Sequence, residues 1–146
     1  MAKRFTLAEA EGLIPSVDRL LRKAVELKEA YAGAEHGVEA YQKRIVVMGG
    51  MMVDRAQVRE VRERRDDAAT ALRSVLEEVQ ELGCVVKDLD IGLVDFPTSF
   101  QGREVYLCWK LGEPSIAFWH GVDEGFAGRK AIDQDFREHH QGDRAH

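Results

Sequence analysis

From Ala10 to Met48 the sequence places an apolar residue or a tyrosine at alternating steps of three and four. The positions are Ala10, Leu13, Val17, Leu20, Ala24, Leu27, Tyr31, Ala34, Val38, Tyr41, Ile45 and Met48. A mean step of about 3.5 residues is the period of a helix that lies along another helix. A second seam follows at Val58, Val61, Arg65, Ala68, Leu72, Val75, Val79 and Leu82, with Arg65 its one polar member. An arginine there can bury its stem and hold its head against water or a carboxylate.

The boundaries of both helices are written in their caps. Thr6-Leu7-Ala8-Glu9 is a capping box that starts the first helix at Leu7, with Phe5 placed as its staple. Pro15 cannot donate to the carbonyl of Glu11, which predicts a kink or short break near residues 12–14. Gly33 and Gly37 lie off the seam and each cost about 1 kcal/mol of helix propensity, so they could mark a bend. Gly49-Gly50 stops the helix, Asp54 caps the next, and Gly83 ends it. Residues 55–82 would span ~42 Å. Two such helices fold back as an antiparallel hairpin, and the first overhangs the second. Leu7, Ile14 and Leu21 widen the apolar face of that overhang, which the rest of the chain must cover.

From Cys84 the period changes to two. Residues 84–89 and 92–96 read as short strands, 97–102 as a loop, 103–111 as the strongest strand and 116–120 as its partner across a Gly112–Ser115 turn. In that register Trp109 faces Phe118 and Leu107 faces His120. Val105, Leu107, Trp109, Leu111, Ile116 and Phe118 then form the face that packs on the helix. Tyr106, Cys108, Lys110, Ala117 and Trp119 form the other. The expected fold is α+β: a long, coiled-coil-like antiparallel helical hairpin with a small antiparallel sheet packed at its open end. Residues 1–130 make one domain, with the hairpin at 6–83 and the β module at 84–130. Residues 131–146 read as a polar, frayed tail whose only anchor is Phe136.

A net charge of −5 argues against general nucleic-acid binding. No run approaches the ~18 apolar residues of a membrane span, and the first residues carry no apolar stretch of the signal-peptide kind. The expectation is a cytoplasmic protein in which Cys84 and Cys108 are reduced thiols in a core.

Residues that could carry chemistry gather in the β module. Asp88, Asp90 and Asp95 lie close in sequence, and a 96/103 pairing would bring Glu104 beside Asp95. With His120 these carboxylates could make a hard-metal site or an acid–base pair. The plainer reading makes them turn caps and partners of Lys87 and Arg103. Cys108 and His120 fall on opposite faces in the register above, which disfavours a thiol–imidazole dyad. Cys84, Cys108, His120 and a carboxylate lack the close paired spacing of structural zinc sites. Tyr106, Trp109, Trp119, Phe126 and Arg129 suit a core, an interface or a pocket. The residues singled out for binding are Asp95, Arg103, Glu104, Trp119, His120 and Arg129; no catalytic residue, metal ligand or cofactor is assigned.

The segments FTLAEAEGLIP (5–15), GLVDFP (92–97), REVYLCWKLGEP (103–114) and FWHGVDEGFAGR (118–129) resemble a family of short bacterial proteins of unknown function. The resemblance covers residues 5–130. It implies an N-terminal helical hairpin with a C-terminal β block, and it brings no catalytic residues. The leading functional expectation is a non-enzymatic interaction or scaffold protein that self-associates through the hairpin, as a homo-oligomer or with a protein partner. The alternative is a small metal- or metabolite-binding protein, or an enzyme, with a carboxylate–histidine site on the β module.

Overall fold

A computed structural model describes residues 3–47 and 54–143. The fold is α+β. Its elements are α1 (Leu7–Val47), α2 (Arg55–Glu81), β1 (Val85–Asp88), β2 (Leu93–Phe100), β3 (Arg103–Lys110), β4 (Phe118–Gly121), β5 (Lys130–Ala131) and α3 (Gln134–His139). Two compact units result: Met1–Arg22 with Leu76–His146, and Lys23–Val75. No helix among the described residues is long and apolar enough to cross a membrane.

In the unit Lys23–Val75 the two helices run antiparallel. Tyr41 donates to Gln57 at 2.8 Å and Arg65 reaches Glu35 at 3.4 Å. Arg65 therefore meets a carboxylate from its seam position. Gly37 marks a close approach, since a Cβ there would lie 3.1 Å from Val61 Cγ1. Asp54 caps α2 through the amides of Ala56 and Gln57. Met48 and the Gly49-Gly50 stop lie outside the described residues.

In the other unit the capping box forms as read: Glu9 accepts from the Thr6 amide at 3.0 Å, and Thr6 Oγ1 accepts from the Glu9 amide at 3.1 Å. These bonds hold the Glu9 carboxyl below its usual range. The helix then continues through Pro15 without the expected break. Residues before Pro15 still find their partners one turn back, so the missing donor costs one bond and not the helix.

The five strands form an antiparallel meander in chain order. One face carries Val94, Phe96, Phe100, Val105, Leu107 and Trp109, and these join Phe5, Leu7, Ala10, Val17, Leu21 and Val79 in one core. Phe5 meets Phe96 edge-on at 5.5 Å. The overhang of α1 is thus covered by the sheet.

Three further details depart from expectation. The segment 97–102 is not a loop: β2 runs to Phe100 and turns at Gln101-Gly102, both with positive φ, as a two-residue hairpin turn requires. Pro97 fits inside a strand because β1 reaches only as far as Asp95, so its missing N–H faces no ladder partner. Its carbonyl instead accepts from Phe5 at 2.7 Å.

Second, β3 and β4 pair one residue out of the expected register, as Tyr106–His120, Leu107–Trp119 and Cys108–Phe118. A slip of one exchanges the faces. Trp119 turns toward the core and Phe118 away from it, the reverse of the sequence reading. Third, the tail does not fray over its described length. It forms α3 around the fully buried Phe136, and Gln141 bridges to Ser99.

Gly33 has open space where a Cβ would sit, whereas Gly37 has Val61. Gly33→Ala should therefore raise stability by about 1 kcal/mol, and Gly37→Ala by clearly less, as read by urea denaturation of the two variants.

Candidate metal centre

The corrected register gives the second face of the sheet its chemistry. Asp95 pairs with Cys108 across β2 and β3, and Cys108 pairs with Phe118 across β3 and β4. Asp95, Cys108 and His120 therefore project from one face, and all three are fully buried. One ligating atom from each lies within 4.8 Å of the others. The thiol–imidazole pair that the expected register disfavours is thus a real neighbourhood, and Cys108 stands outside the binding residues expected from sequence.

The hydrogen bonds of His120 define what the cluster can hold. Nδ1 lies 2.8 Å from the carbonyl oxygen of Gly121, and Nε2 lies 2.8 Å from Asp95 Oδ1. A carbonyl only accepts, so Nδ1 carries a hydrogen. Nε2 and Asp95 Oδ1 then face each other with one positive species required between them, either a proton or a metal ion. The second Asp95 oxygen, Oδ2, is buried without a hydrogen-bond partner. An orphaned carboxylate oxygen in a dry site is costly.

The same geometry weakens a nucleophilic reading. Neither ring nitrogen of His120 is left to take the Cys108 proton. Burial, followed by the negative charge of Asp95, pushes the Cys108 thiol up to about 12. A thiol held protonated at neutral pH is a poor nucleophile. Cys84 belongs elsewhere: it lies in the core beneath the sheet, donates to the Val79 carbonyl at 3.4 Å, and burial pushes it up to about 11.

Arg129 flanks the cluster. Its guanidinium lies 4.1 Å from the Phe118 ring centroid, pairs with Glu113 at 2.6 Å, and reaches the Cys108 carbonyl at 3.5 Å. Glu113 also takes the Lys110 amide, and its carbonyl takes the Trp109 indole. On the other side Tyr106 packs on the His120 ring at 5.5 Å.

The remaining predicted site residues fall apart from the cluster. Glu104 pairs with Ser99 and not beside Asp95, because the first hairpin turns later than expected. Arg103, Glu104 and Trp119 line a separate surface cavity of about 530 Å³, together with Asp123, Glu124 and Lys130. Asp88 is a turn cap, accepting from the Asp90 amide at 2.9 Å. The sequence signal for Cys108 was its place two residues from Tyr106 on the strongest strand, which only the register could interpret.

A model for a family described as an uncharacterized conserved protein (DUF2203) matches residues 3–132. No curated protein and no solved structure matches the chain.

Removing one partner leaves the other charge buried alone. His120→Ala should lose about 3–5 kcal/mol in urea denaturation, and Asp95→Asn less, since its amide can still hydrogen-bond to the imidazole. Iodoacetamide at pH 7.5 should label neither thiol in the folded protein and both in guanidinium, as counted by mass spectrometry.

Proposed function

The chain belongs to the DUF2203 family, and from the chemistry of its β module we propose that it is a non-enzymatic metal-binding protein. The ligands are Asp95, Cys108 and His120, and the ion is a borderline transition metal of the zinc class. The carrying observation is the convergence of three buried donors while the distal ring nitrogen of the histidine is tied to a backbone carbonyl. Oxygen, sulfur and nitrogen donors together suit Zn²⁺ better than Mg²⁺ or Ca²⁺, which prefer oxygen alone. A histidine ligand usually donates its other N–H to a carbonyl or carboxylate, which fixes the tautomer and aims the lone pair. Here Gly121 does that for Nε2. An ion would also satisfy the orphaned carboxylate and draw the proton from Cys108. The reading includes a reducing, cytoplasmic setting in which Cys108 stays a thiol.

A second reading, self-association through the hairpin, draws on burial in the unit Lys23–Val75. Ala24, Val38 and Ala68 are buried there, while Leu27, Ala34, Tyr41, Ile45, Val58, Val61, Leu72 and Val75 are only half-buried. A seam left half-open by two helices is what a second copy would close. The mass of the protein in solution should then rise with concentration.

For the metal site, elemental analysis of protein purified without chelators should find close to one zinc-class ion per chain. Stripped protein should gain melting temperature with Zn²⁺, and Cys108→Ser and His120→Ala should lose both ion and gain. Stripped protein that neither binds Zn²⁺ nor gains stability leaves the Asp95–His120 pair as a proton-bridged structural element.

A further inference from the structure

A second histidine contact, half-buried, has the opposite proton demand. His140, just after α3, places Nδ1 2.8 Å from the Phe136 carbonyl and Nε2 2.8 Å from the Leu7 amide nitrogen. The carbonyl only accepts and the amide only donates. The ring must therefore be neutral, with its hydrogen on Nδ1 and its Nε2 lone pair capping the first turn of α1. A protonated ring would turn a second N–H against the Leu7 N–H, at the positive end of a helix that runs from Leu7 to Val47.

This ring stands in the middle of a larger clasp. The Arg4 amide donates to Asp143 Oδ2 at 3.1 Å and the Asp143 amide to the Arg4 carbonyl at 3.0 Å. Gln141 exchanges backbone hydrogen bonds with Ser99 at 3.0 and 2.7 Å, and its carbonyl accepts from Thr98 Oγ1. Phe136 packs on Phe100 and Trp119 at 4.7 and 5.0 Å between centroids and stacks on the His140 ring at 5.2 Å. Gly142 sits so tightly against the N-terminal segment that a Cβ would lie 2.7 Å from the Thr6 nitrogen.

We propose that residues 133–143 form an acid-released clasp, in which uptake of a proton by His140 undocks the segment from the start of α1 and from β2. Release uncovers the rings of Phe100 and Trp119 and the edge of β2 at Thr98 and Ser99. The ionisable groups on the packed elements are Lys3, Arg4, Glu9 and Glu11 before and within the start of α1, Asp143 at the clasp's end, and Asp133, Asp135, Arg137, Glu138 and His139 around α3, where Glu138 accepts from Gln134. None of them supplies the acceptor that a protonated Nε2 would need, because the Leu7 N–H already occupies that position. Glu9 stays charged through the imidazole range, since its capping bonds hold it below the usual carboxylate value. The exposed pair of His139 with Asp135 lies within α3. β2 brings no ionisable group to residues 98–100.

The sign follows from linkage. A ring that docks only when neutral favours the docked state above its titration and disfavours it below. The docking constant should therefore fall progressively as the pH drops from 7.5 to 5.

The test is ¹H–¹⁵N NMR of the full chain from pH 8 to pH 5, with the imidazole nitrogens of His140 observed directly. At pH 8 the wild-type ring should be the Nδ1–H tautomer. On acidification the amides of residues 4–9 and 134–143 should move together toward the shifts of Gly142→Ala, which cannot seat the clasp at any pH. His140→Gln, whose side-chain oxygen can accept from Leu7 without titrating, should hold the docked spectrum to pH 5; His139 remains in it and is thereby controlled. An Nε2–H tautomer at pH 8 overturns the proposal. So does a wild-type clasp that stays docked while His140 protonates, or a His140→Gln clasp that opens with acid as the wild type does.

Discussion

The pairing of Cys108 with Asp95 on one side and Phe118 on the other decides nearly everything else in the β module. It assigns each residue of three strands to a face. The face so defined toward α1 is continuous and apolar, and it buries Phe5, Leu7, Val17 and Leu21. The opposite face receives a carboxylate, a thiol and an imidazole in one dry spot. A shift of one residue would bury Tyr106 and Cys108 against the helix and expose Leu107 and Trp109. The register is therefore held by the hydrophobic core, and the polar cluster is positioned by the cost of slipping it.

Much of this was readable in the chain. The capping box at Thr6–Glu9, the Asp54 cap and the seam of α1 all rest on local spacing, and local spacing survives folding. What failed depended on turn geometry. The expected Gly112–Ser115 turn would have begun β4 at Ile116. Instead the connection is longer: Glu113 uses its carbonyl on the Trp109 indole and its carboxylate on Lys110 and Arg129, so pairing resumes only at Phe118. A side chain that commits to the backbone of its own turn cannot be inferred from periodicity. Pro97 misled for a related reason, since its place beyond the reach of β1 is a tertiary fact. The tail misled because a single aromatic, Phe136, outweighs a polar composition when the rings of Phe100 and Trp119 wait to receive it.

The two histidine contacts make an instructive pair. His120 looks at two acceptors and needs a proton or a metal ion beside it, while His140 looks at one acceptor and one donor and must carry no charge. Both follow from which backbone groups each ring meets. Local sequence around either residue, Trp119-His120-Gly121 or His139-His140-Gln141, distinguishes neither state.

One consequence concerns the flank of β2. Beyond Asp95 this strand has no neighbour from the sheet on its outer side, and that side is completed by Phe5 at Pro97 and by Gln141 at Ser99. The two ends of the described chain thus act as a selvedge that stops the weave from unravelling or joining another cloth. Bare strand margins recruit other strands. A lesion that loosened either end would show itself first as polymerisation and only later as loss of the helical core.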